Sequence, residues 1–89
     1  MSCINLLEEH DSRSTRRETE AYCKKNSLNK THQRLSIGDK ITFWAGYNGD
    51  IQYLSEIAGI DENGDIHVIW DCYWSPIRDE AKRDIKIVN

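Results

Sequence analysis

Ile51-Gln52-Tyr53-Leu54-Ser55-Glu56-Ile57-Ala58-Gly59-Ile60, then Asp61-Glu62-Asn63-Gly64-Asp65, then Ile66-His67-Val68-Ile69-Trp70, reads as strand, turn and strand. The first ten residues put Tyr53, Ser55 and Ile57 on one side and Leu54, Glu56, Ala58 and Ile60 on the other, the period of two that an extended chain imposes. Such length predicts a bend or bulge that lets one strand serve two sheet faces. Asn63-Gly64 tolerates the positive φ angles of a tight hairpin turn. The last five residues, rich in β-branched side chains, return along the first strand.

Working outward, Lys40-Ile41-Thr42-Phe43-Trp44 also alternates, and Ala45-Gly46-Tyr47-Asn48-Gly49-Asp50 is a loop with two glycines. Downstream, Asp71-Cys72-Tyr73-Trp74-Ser75-Pro76-Ile77 is a short turn and strand in which Pro76 belongs at an edge or an end, because it cannot donate to a ladder. Residues 78–83 can make one helical turn, and Asp84-Ile85-Lys86-Ile87-Val88 supplies a final strand. Five strands with tight hairpins predict a mainly β fold over residues 38–89, a small, strongly bent barrel. Closing the sheet would remove most of its exposed edges.

Residues 1–37 are polar, rich in Ser, Thr, Arg and Lys, and read as an N-terminal helical arm. Thr15-Arg16-Arg17-Glu18 fits a capping box, so a helix is expected over about 15–26. Its apolar stripe is thin. Thr19, Tyr22 and Cys23 share one face, enough to dock lightly on the barrel but not to make a core. Ile4, Leu6 and Leu7 suggest a short helical turn that also needs a host, and residues 27–36 read as a linker.

Composition narrows the function classes. Eighty-nine residues make one domain with little room for a deep pocket beside a core, which argues against a cofactor enzyme. The charged and hydrophobic fractions are those of a soluble protein, and no apolar run approaches the ~20 residues of a membrane span. The start, Met1 to Glu9, has neither a basic flank nor a long apolar core, so a cytoplasmic location is expected. Cys3, Cys23 and Cys72 are odd in number and widely spaced, and His10, His32 and His67 are scattered. Neither set has disulfide or metal-ligand spacing, and no metal or cofactor is expected. Catalytic patterns are equally thin: His67 and Cys72 are separated by a strand end and a turn, Asp79 and Glu80 read as a solvated turn, and Gly46-Tyr47-Asn48-Gly49 lacks the lysine and helix start of a phosphate loop.

The formal charge of −3 is unevenly spread. Residues 12–34 hold seven Lys or Arg against two Glu, whereas residues 38–89 hold five basic against ten acidic side chains. A basic arm on an acidic body can grip phosphate or fold back on its own domain. Nucleic-acid binding, with Arg13, Arg16, Arg17, Lys24 and Lys25 on phosphates and rings stacked on bases, is therefore one reading. A small inhibitor whose acidic face fills another protein's basic groove is another, and a homodimer across a ring-rich patch is a third.

Five of the eight aromatic residues, Trp44, Tyr47, Trp70, Tyr73 and Trp74, fall in two clusters that a small barrel would bring to one rim. Phe43 and Tyr53 lie within strands and read as core. Trp70 fits either the interior or the rim, since Ile66 and Val68 share its strand face. Gly38-Asp39-Lys40-Ile41, the aromatics of the first hairpin, Tyr53 in the long strand and Val68-Ile69-Trp70-Asp71-Cys72-Tyr73 together resemble the Tudor-type domains among the Src-homology-3-like barrels, over about residues 38–88. That resemblance implies an aromatic cage for a methylated lysine or arginine, with Trp44 and Tyr47 on one connection, Trp70 and Tyr73 on the other, and Asp71 as acidic partner. Ring faces attract a cation and a carboxylate adds charge. The expectation is a non-enzymatic module binding a protein segment, cationic if the cage holds, across Trp44, Tyr47, Trp70, Tyr73 and Trp74 with Asp50 and Asp71. Docking of the N-terminal helix on those same rings is the competing reading.

Overall fold

The alternating stretch Ile51–Ile60 forms one continuous strand, and three of the other four strands pair with it. The computed structural model describes residues 3–8, 12–29, 34–46, 49–70, 76–78 and 84–88, with the backbone alone for 12–15. Its elements are β1 (Ile4–Asn5), α1 (Ser12–Lys25), β2 (Lys40–Ala45), β3 (Ile51–Ile60), β4 (Ile66–Val68) and β5 (Lys86–Ile87). One edge of β3 takes β2 antiparallel, in a register that pairs Phe43 with Tyr53 and Trp44 with Gln52. Its other edge takes β1 in parallel at Tyr53 and Leu54, then β4 antiparallel from Ile57 to Ile60. The register slips between Ile57 and Gly59, so Ala58 is the extra residue of a bulge and β3 bends there, as its length implied.

The pairing sorts side chains onto two faces. Ile41, Phe43 and Ala45 of β2 share a face with Ile51, Tyr53 and Ser55 of β3. With Ile57, Ile60, Ile66, Val68, Trp70 and Ile77, most of these make the core, where Ile41, Phe43, Ile57 and Ile60 are fully buried. Ser55 is also buried, and its hydroxyl donates to the Ile69 carbonyl at 2.7 Å, so it adds no unmet polar group. Lys40, Thr42 and Trp44 lie on the opposite face with Gln52, Leu54 and Glu56.

Several expected elements differ. Among the described residues the strands form a bent, open, mixed sheet rather than a closed barrel. β1 and β5 are two residues long and supply too few ladder pairs to close it, and most of the expected strand from Asp71 to Ile77 lies outside the described residues. Ile77 itself donates its amide to the Ile66 carbonyl at 2.8 Å beside β4, and Val88 donates to Lys40 at 2.8 Å beside β2. The return strand stops at Val68 and the last strand covers only Lys86–Ile87. The proposed turn over 78–83 lies largely outside the described residues. In the hairpin loop only Gly64 takes positive φ, at 84°. The Asp61 carboxylate accepts the Asn63 and Asp65 amides, each at 2.9 Å, so a type I turn with a left-handed glycine replaces the tighter two-residue turn.

The arm packs against the sheet. α1 begins at Ser12, three residues before the capping-box threonine, and ends at Lys25. Ile4 and Asn5 are strand rather than helix, because the edge of β3 supplies hydrogen-bond partners that an isolated turn would lack; Leu6 donates to the Leu54 carbonyl at 2.9 Å. Residues expected to be linker are anchored too, with Ile60 donating to the Leu28 carbonyl at 3.0 Å and Asn29 bridging to Ile60. No helix among the described residues is long and apolar enough to cross a membrane.

Candidate functional site

Adjacent residues of a strand point to opposite faces, and this decides where the predicted rings can meet. Phe43 lies in the core, so Trp44 faces the other way, half-buried opposite Gln52. Trp70 is only 5% exposed and packs edge-on to Phe43, with centroids 5.4 Å apart at 85°. Trp44 and Trp70 therefore occupy opposite faces of the sheet and share no rim. Asp50 is exposed at the start of β3. Tyr47, Asp71, Tyr73 and Trp74 lie outside the described residues.

A different residue carries the aromatic cluster toward solvent. Tyr53 is half-buried, stacked on Phe43 at 5.8 Å and 23°, and set edge-on to Trp70 at 5.8 Å and 75°. These three rings form a graded stack, from Phe43 fully inside to Tyr53 at the margin. Ile51 shares the face of Tyr53 and is 36% exposed, and exposed Asp50 precedes it. The result is an apolar ledge with a phenol and a carboxylate at the hairpin end of the sheet. Tyr53 packs against the core as its spacing predicts, with its ring at the core's edge.

The cationic residues of the arm divide in two. Arg16 donates through Nη1 to Glu56 Oε2 at 2.6 Å and through Nη2 to Oε1 at 3.3 Å, a bidentate pair with Glu20 nearby at 3.6 Å. Its pKa is raised above the usual arginine value, chiefly by the hydrogen bonds to Glu56. Arg17, Lys24 and Lys25 are exposed, and the Arg13 side chain is outside the described set. Thus one of the five arm residues considered for phosphate is already committed to the sheet.

Under α1, Thr19 and Cys23 are buried at 2% and 4% exposure, and Tyr22 approaches His67 of β4 with ring centroids 6.0 Å apart. Burial, and secondarily the charge of Glu20, pushes the Cys23 thiol above its usual 9.0, as befits a packed rather than reactive cysteine. Among the described residues no three His, Cys, Asp or Glu side chains converge to hold a metal ion. The arrangement can therefore offer aromatic, apolar and carboxylate contacts to a ligand surface. No family model matches this chain, and no curated protein or solved structure matches it either.

Proposed function

We propose that this chain is a non-enzymatic interaction module that binds a cationic protein segment at the hairpin end of its sheet. The observation that carries the reading is the graded stack of Phe43, Trp70 and Tyr53, whose outermost ring reaches solvent beside Ile51 and Asp50. A rigid ring held by two buried neighbours loses little entropy on binding and offers its π face to a cation. The acidic balance beyond residue 38 favours a cationic partner, and the sheet already accepts one guanidinium, that of Arg16, in cis. An Src-homology-3-like arrangement is supported by the meander of β2, β3 and β4, by the bend within β3 and by the return of β5 to β2.

The test is a titration of isotope-labelled protein with lysine, trimethyl-lysine and dimethylarginine peptides, followed by backbone and indole shifts. Shifts centred on Asp50, Ile51 and Tyr53 are expected. Their absence at millimolar peptide overturns the reading, and strong binding to single-stranded nucleic acid that falls steeply with salt replaces it with the phosphate-binding alternative.

A further inference from the structure

We propose that the free edge of β5 is a contact between two copies of this chain, each extending the other's sheet by antiparallel pairing centred on Ile85. The contact is separate from the hairpin-end ledge and does not depend on it. β5 ends the strand order β1-β3-β2-β5 and, among the described residues, has a strand partner on one side only. Val88 donates to the Lys40 carbonyl at 2.8 Å, so the backbone groups of Lys86 and Val88 turn toward β2. By alternation those of Ile85 and Ile87 turn outward, where a further strand would meet them. The side chain of Ile87 lies on the core face opposite fully buried Ile41, yet it is 45% exposed. Ile85, two residues earlier, packs against the core from the same edge.

A two-fold axis through Ile85 satisfies both faces of this edge at once, and it draws Asp84 and Ile85 into the ladder. On the core face Ile85 meets Ile85 of the second copy, and each Ile87 becomes the diagonal neighbour of the opposite Ile85, within reach of a long side chain. On the other face the exposed Asp84 of each copy lies opposite the exposed Lys86 of the other, at the closer spacing of a pair that shares no hydrogen bonds. Two unlike charge pairs form, related by the axis. Centring on Lys86 would instead set ammonium against ammonium, and centring on Ile87 would set Lys86 against Val88. A lysine on a short edge strand ordinarily repels an added strand, and Asp84 lifts that repulsion in one register alone. The occupant is a second copy because this edge carries both halves of the match itself.

A contact this small is weak, so sedimentation equilibrium of the full chain under reducing conditions must extend to about millimolar concentration, where the parent should pass from monomer toward dimer. Asp84→Lys places like charge opposite Lys86, and Lys86→Asp places like charge opposite Asp84. Each variant alone should therefore associate roughly tenfold or more weakly than the parent. Mixed one to one, the two variants again oppose unlike charges and should associate as the parent does, as a heterodimer. A mixture that fails to recover, or single variants that dimerise as well as the parent, overturns the proposal. A parent that stays monomeric at millimolar concentration overturns the assignment to a second copy and leaves the edge to another protein's strand. Both positions are exposed, so both variants should keep the parent's urea midpoint. Should either fail to fold, amide shifts of the labelled parent on dilution decide. Ile85, Lys86 and Ile87 should move together, and shifts confined to other strands overturn the contact.

Discussion

Replacing Gly59 with alanine probes the contact between arm and sheet at its tightest point. An added Cβ would lie 2.7 Å from Cys23 Sγ, 2.9 Å from Leu28 Cβ and 2.9 Å from the Leu28 carbonyl oxygen. The last two atoms are backbone or next to it and cannot swing aside, so the α1–Leu28 segment must shift as a body. Overpacking of this kind costs about 1–3 kcal/mol. The displaced carbonyl is also the acceptor of the Ile60 amide at 3.0 Å, a bond with a net contribution of about 1 kcal/mol. Restricting the unfolded chain returns about 0.5–1 kcal/mol, so the net loss centres on about 2 kcal/mol. In a chain of 89 residues that lowers the melting temperature by roughly 8–16 °C. Urea unfolding and thermal melting followed by circular dichroism measure it. A variant as stable as the parent, or more stable, would mean that α1 and Leu28 do not rest on Gly59, and the described seat of the arm would be wrong.

Other substitutions separate packing from recognition. Trp70→Ala should destabilise by about 3–5 kcal/mol, as for other large core rings, whereas Trp44→Ala, at a half-buried position on the other face, should bring much the smaller loss of stability; comparing urea midpoints tests the opposite-face assignment. Ser55→Ala removes the hydroxyl that donates to Ile69 at 2.7 Å and should cost about 1 kcal/mol, read from the same unfolding curves. The Cys23 thiol has a raised folded pKa, so the unfolded thiol ionises first. Its contribution is complete below the unfolded value of 9.0 and is lost as pH rises through the folded one, so stability should fall above pH 9.0 more steeply in the parent than in Cys23→Ala. Peptide mapping after iodoacetamide should find exposed Cys3 labelled well before Cys23.

The meander was legible because Ile41, Phe43, Ile57, Ile66 and Val68 recur at the strand period, and the α1 face because Thr19 and Cys23 are four residues apart. Ile4–Asn5 was not, since two residues hold no period and their strand state comes wholly from the edge of β3. The start of α1 was misplaced because Ser12 to Thr15 are as acceptable in a first helical turn as before one. For the rings, proximity in sequence misled: Phe43 and Trp44 are neighbours on opposite faces, and only the pairing register shows that Trp70 joins Phe43. Arg16 on Glu56 spans 40 positions and leaves no local trace beyond opposite charge.

The placement of α1 against β3 also constrains how this polypeptide is made. The helix is synthesised before the strand that seats it, and at about 5–20 residues per second the ribosome needs about 2–7 s to travel from the end of one to the end of the other. During that interval the thin apolar stripe has no intramolecular host, and a helix so polar has little intrinsic tendency to persist alone. Until β3 has been made, the exposed basic residues of α1 and Cys23 are open to chaperones, nucleic acid or oxidants.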